Sequence, residues 1–225
     1  MSTLSNLEQI TGTFITTPHQ QVTTSALNTL IPDYVRVQET VKVTRAKADA
    51  IQRDRSLSEE GKQKANATMA NDHIDNYAFI GGQRTKNAEC IRNLHATNYA
   101  AVLDVPQDSD PTKALIRELR AGEIRSLHRN AENRDSVFLA AVEQGHLEVA
   151  HALLAAPGGS WVSPDIRQRG AELYAARNTP KEYAALQDAL TVREHLDMLA
   201  EVTRSAFTAL GADPEKIAKV LKVRL

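Results

Sequence analysis

A single cysteine, Cys90, rules out an intramolecular disulfide, and one thiol cannot complete a zinc site. Aromatic residues make up only 4% of the chain. A core filled instead by Ala, Leu and Val lets helices approach closely but buries little area per side chain, so stability is expected from length of contact or from a partner. No apolar run approaches the roughly 20 residues that cross a bilayer. The opening Met1-Ser2-Thr3-Leu4-Ser5-Asn6 has neither the basic region nor the apolar stretch of a signal peptide. Neither sign of charge dominates: 27 Lys and Arg face 28 Asp and Glu for a formal net charge of −1, which argues against wholesale coating of nucleic acid. There is no Gly-rich phosphate loop and no serine elbow. With 42% hydrophobic and 24% charged residues in 225, the composition is that of a soluble globular chain with one ordinary core or two small lobes.

The pattern that is present is helical. From Tyr34, the positions Tyr34, Val37, Val41, Thr44, Ala48 and Ile51 alternate steps of three and four, the seam of a helix packed lengthwise on another. A polar break at Arg53 to Ser56 precedes Leu57-Ser58-Glu59-Glu60-Gly61-Lys62, where Ser56 or Ser58 is suited to cap and the glutamates face the positive helix end. The two helices are expected to fold back as a hairpin. The second continues through Ala65, Met69, His73, Asn76, Tyr77 and Ile80 until Gly81-Gly82, which marks a kink, a tight turn or a close helix crossing. A third stripe follows at Ala88, Ile91, Leu94, Asn98, Tyr99 and Val102.

Residues 1–32 stand apart, with no Lys or Arg and eight threonines. β-Branched residues, Gly12, Pro18 and Pro32 favour an extended arm, with a helical turn or two within Thr24 to Leu30. The stretch Asp104 to Pro111 has the composition of a linker, and Asp110-Pro111 starts a helix with Ala114, Leu115, Ile116 and Leu119 as its apolar side, broken at Gly122. Later helices are punctuated by Gly145, Pro157-Gly158-Gly159, Ser163-Pro164, the capping-box spacing Thr179-Pro180-Lys181-Glu182, Gly211 and Asp213-Pro214. A long heptad-like stripe runs from Ala189 to Leu210. The expected fold is all-α: an extended arm over 1–32, a long-helix hairpin or bundle over 33–105, and a compact lobe of shorter helices over 106–225.

Ala140 to Leu154 looks like the centre of an ankyrin repeat, but the period of about 33 residues does not recur; an ordinary helical hairpin accounts for it. Seven histidines supply no pair with ligand spacing, His146 and His151 being five apart, and His73 and His95 fall on or beside inner stripes. Cys90 sits mid-helix without a base partner. No catalytic, cofactor-binding or metal-binding residue is expected, and the chain is read as non-enzymatic. Basic residues gather twice. Arg45, Lys47, Arg53, Arg55, Lys62 and Lys64 cluster at the hairpin tip as a partner or phosphate contact, or as a solvated face. Lys216, Lys219, Lys222 and Arg224 form a C-terminal patch suited to the helix dipole.

The basic helix leading through Arg53-Asp54-Arg55-Ser56-Leu57-Ser58-Glu59-Glu60-Gly61-Lys62 into a second helix resembles helical accessory and structural proteins of tailed bacteriophages. The Val142 to Pro157 hairpin, closing on Ala-Ala-Pro, is similar to the C-terminal part of such proteins. The resemblance spans about a quarter of the chain and implies a virion or assembly role, with no site residues to transfer. The expectation is a structural protein assembled in the host cytoplasm into a virion, a homo-oligomer that meets other virion proteins through helix packing and the N-terminal arm, with no membrane partner. An intracellular helical interaction module with its groove beside Val142 to Leu154 is the alternative, and DNA contact through the basic tip ranks last.

Overall fold

A computed structural model describes residues 4, 7, 9, 11, 27–131 and 133–223. Among them every regular element is helical and there is no strand. In chain order the elements are α1 (Ile31–Arg53), α2 (Glu59–His73), a 3₁₀ turn (Ile74–Tyr77), α3 (Ala78–Leu103), α4 (Pro111–His128), α5 (Arg134–Gln144), α6 (Leu147–Leu154), α7 (Pro164–Asn178), α8 (Pro180–Ala209) and α9 (Pro214–Leu221). They form two compact units, one of residues 1–91 and 188–225, the other of 92–187. The division therefore falls inside α3 and α8. The expected boundary at 104–111 lies within the second unit, because residues beyond 188 return to the first.

In the first unit α1 buries Tyr34, Val37, Val41, Thr44 and Ala48, nearly all of its expected seam. Ser58 caps α2, its Oγ accepting from the Gly61 N–H at 3.1 Å. The core joins these helices to Ile74, Tyr77 and Ile80 and to Leu196, Leu199, Phe207, Ile217 and Leu221 from α8 and α9. Gly81-Gly82 does not interrupt the helix. The local irregularity comes earlier, in the 3₁₀ turn, and α3 runs through both glycines. A Cβ at Gly81 would stand 2.3 Å from the Val220 carbonyl oxygen, so the glycine is the point where α9 crosses closest. Arg84, one turn on, fastens that crossing. Its Nη1 donates to the Leu221 and Lys222 carbonyls at 2.8 and 2.6 Å, and its Nε donates to Asp197 at 2.8 Å.

Most of the expected extended arm lies outside the described residues, Gly12 and Pro18 among it, as does Arg224 of the C-terminal patch. Leu4, Leu7, Gln9 and Thr11 have helical backbone, and Thr11 donates back to the Leu7 carbonyl at 2.9 Å. Leu4 and Leu7 belong to the first unit's core with Leu27 and Leu30. At these positions apolar burial at helical spacing outweighs the β-branched composition around them.

The second unit is built on close approach of small residues. A Cβ at Gly170 of α7 would meet the Phe138 ring at 2.5 Å, so the missing side chain seats the fully buried ring of α5. Gly145, with φ of 77°, makes the turn from α5 to α6. The expected capping box at Thr179 takes another form. Thr179 Oγ1 lies 3.0 Å from Asn98 Oδ1 and 3.2 Å from the Ala175 carbonyl, while Asn98 Nδ2 donates to the Glu182 carbonyl at 3.2 Å.

Candidate protein interface

The local start of α4 follows from its sequence. Asp110 Oδ1 accepts from the Thr112 and Lys113 N–H groups at 2.8 and 3.4 Å, and Pro111 occupies the first helical position. The helix continues through Gly122 to His128, so the expected break there does not form. Its orientation is the unexpected feature. The only buried residue of α4 is Arg125, while Leu115, Ile116, Leu119 and Leu127 are 61, 48, 62 and 81% exposed.

At 3.6 residues per turn these four apolar side chains lie within about 120° of arc, and Ala114, Ala121 and Arg125 lie opposite. The side toward the unit is the small-residue side. It packs on α6, where Ala150, Ala152 and Leu153 are buried. Arg125 pairs with Glu118 and donates to the Ala155 carbonyl at 3.3 Å, satisfying an acceptor that the end of α6 leaves free. Arg117 holds the preceding segment by pairing with Asp108 at 2.7 Å and donating to the Pro106 carbonyl at 2.7 Å.

Beside the exposed stripe runs a groove of about 610 Å³ between α4 and α6. Ile116, Ile124, Leu147 and Ala152 supply apolar lining, and Lys113, Arg120 and Glu148 supply charge at its walls. His151 also lines it and donates from Nε2 to the Ala101 carbonyl at 3.0 Å, which requires a proton on that nitrogen. Burial lowers the His151 pKa from the ordinary imidazole value, with Arg117 adding to the shift and the carbonyl opposing it. An apolar groove with a few placed charges is suited to holding an apolar segment.

The basic tip has a different character. Lys62 pairs with Glu59 at 2.9 Å and Lys64 with Glu60 at 2.8 Å. Lys47 donates from Nζ to His73 Nε2 at 2.8 Å, and Arg45, Arg53 and Arg55 are exposed. At least half of the six basic residues expected as a phosphate contact thus already have partners within the hairpin. His73 is a core histidine, as its stripe position suggests. The Lys47 contact leaves Nε2 as acceptor and puts the proton on Nδ1, which lies 3.2 Å from Thr44 Oγ1. Burial lowers its pKa, and the Lys47 charge lowers it further while Asp72 opposes. In the C-terminal patch Lys216 is bound to Asp75 at 2.9 Å and to the Asn71 carbonyl at 2.6 Å, so it docks α9 rather than facing a ligand.

Sequence periodicity grouped Ala114, Leu115, Ile116 and Leu119 as one apolar side without fixing its direction; the three large residues face outward and Ala114 lies opposite them. The signal that distinguishes the two sides is size: Ala114 and Ala121 permit close packing on α6, which the leucines would prevent. Among the described residues no helix is long and apolar enough to cross a membrane, and no three His, Cys, Asp or Glu side chains gather as a metal site. Comparison with family models, curated proteins and solved structures finds no match to this chain.

Proposed function

We propose that the chain is a non-enzymatic structural or assembly protein of a bacteriophage particle, working by helix packing with α4 as its packing surface. One observation carries the reading: four large apolar side chains exposed together on a single helix whose small-residue side is already packed. Scattered exposed leucines are ordinary on a protein surface, whereas a contiguous apolar stripe beside a groove marks a place where another chain docks. The particle itself is suggested by the resemblance of the Arg53 to Lys62 turn and the Val142 to Pro157 hairpin. Leu4 and Leu7 are buried in their own unit and most of the expected arm lies outside the described residues, so the packing surface proposed among the described residues is α4.

Mass spectrometry of particles purified from the organism that carries the gene tests this reading. A constant ratio to the other particle proteins is the expected result; absence from the particle overturns it. The groove favours a second reading, an intracellular interaction module that holds a partner beside α6. In that case the protein is recovered with one partner from cell extract and not from particles. A DNA-contacting role is ranked below both, since Lys62 and Lys64 are already paired with carboxylates.

A further inference from the structure

We infer that the groove between α4 and α6 receives an amphipathic helix of another protein that carries carboxylates seven residues apart beside its apolar seam. This rests on the reading of α4 as an association surface and names the chemistry of what docks there. The groove is about 610 Å³ and is lined by Ile116, Ile124, Leu147 and Ala152, an apolar trough between two helices. Such a trough takes side chains at i, i+3, i+4 and i+7 from a helix laid along it.

Charge selects among helices. Of the charged side chains at the groove, Arg117 is committed to Asp108 and Arg125 to Glu118. Lys113 and Arg120 make no ion pair among the described residues. Being seven residues apart they share one flank of α4, about 10 Å apart along the axis, and both face the groove. Glu148 is on the opposite wall. A docking helix therefore meets two uncompensated cations along its α4 edge, and carboxylates at matching spacing neutralise them as the trough closes and water leaves. A second copy of α4 suits the flank poorly: a two-fold antiparallel pairing sets each flank against itself, bringing Lys113 and Arg120 beside their own counterparts.

The test uses the full chain and two synthetic helical peptides with the same leucine seam, one flanked by Glu at seven-residue spacing, the other by Lys. By fluorescence anisotropy at low salt the Glu-flanked peptide is expected to bind at least tenfold tighter. The double variant Lys113→Glu, Arg120→Glu should reverse that order, and Ile116→Glu should weaken the Glu-flanked peptide at least tenfold with an unchanged circular dichroism spectrum. Equal affinities, no binding of either peptide, or an order unmoved by the charge reversal would overturn the inference. So would sedimentation showing that the chain alone dimerises and that Ile116→Glu makes it monomeric, since a second copy would then occupy the groove. A failure here alongside constant stoichiometry in particles leaves the assembly reading standing; success here with absence from particles removes the assembly reading and keeps the docking site.

Discussion

Helices α1 and α4 are of comparable length, 23 and 18 residues, yet they use their apolar residues in opposite ways. Helix α1 turns Tyr34, Val37 and Val41 into the first unit's core, each fully buried. Helix α4 turns its leucines outward and buries an arginine. The first helix is stabilised by what it covers within the chain. The second is held by an N-cap, by the packing of alanines on α6 and by Arg125, and its larger side chains contribute little to folding. An apolar stripe of helical spacing therefore states that a helix is amphipathic, and leaves open whether the apolar side faces its own core or another protein.

The sharpest break of this contrast is a charge placed on each helix. Val41→Asp puts a carboxylate in a fully buried position of α1 and is expected to cost about 4 kcal/mol or more, measured by denaturant unfolding. Gly81→Ala strikes the same unit through its backbone. The new Cβ would press on the Val220 carbonyl oxygen, and the displacement of α9 should cost about 3 kcal/mol. Amide exchange should rise most in α9.

In the second unit Gly170→Ala drives a methyl group into the Phe138 ring and should cost about 2 kcal/mol. Adding Phe138→Leu to that variant should recover part of the loss, because the obstruction is the ring.

A weaker handle on the α1–α2 packing is pH. The folded His73 binds its proton only below the ordinary imidazole value, whereas the unfolded chain binds it near about 6.5. Stability is therefore present above that value and is lost as pH falls through it. Melting curves should show a steeper fall on acidification for the wild type than for His73→Gln.

The smallest effect completes the contrast. Leu119→Glu, on the exposed side of α4, should change stability by no more than about 0.5 kcal/mol, and thermal unfolding checks it.

Much of the first unit was legible in the sequence. The α1 seam from Tyr34 to Ala48 is buried as its spacing implies, the turn at Ser58 is capped by that residue, and the long stripe in α8 buries Leu196, Leu199, Thr203 and Ala206. Long-range closure was not. Gly81-Gly82 carried a close helix crossing as one of its three readings, but nothing local names α9 as the helix that crosses, because the requirement comes from a carbonyl 139 positions away, from 81 to 220. The same limit hid the division inside α3 and α8, since a boundary there carries no Pro or Gly punctuation. The interface was half legible: its residues were visible as an apolar stripe, but the direction of the stripe depended on alanine packing against α6, which periodicity alone does not rank above leucine burial.

The most direct measurement of the central claim, that α4 is an association surface, is quantitative mass spectrometry of particles assembled with the wild-type chain or with Leu119→Glu. The account predicts that the wild type is present at constant stoichiometry and that the variant, folded to the same extent by circular dichroism, is depleted at least tenfold. Equal incorporation of the two would show that the outward leucines of α4 make no contact that assembly needs, and would contradict it.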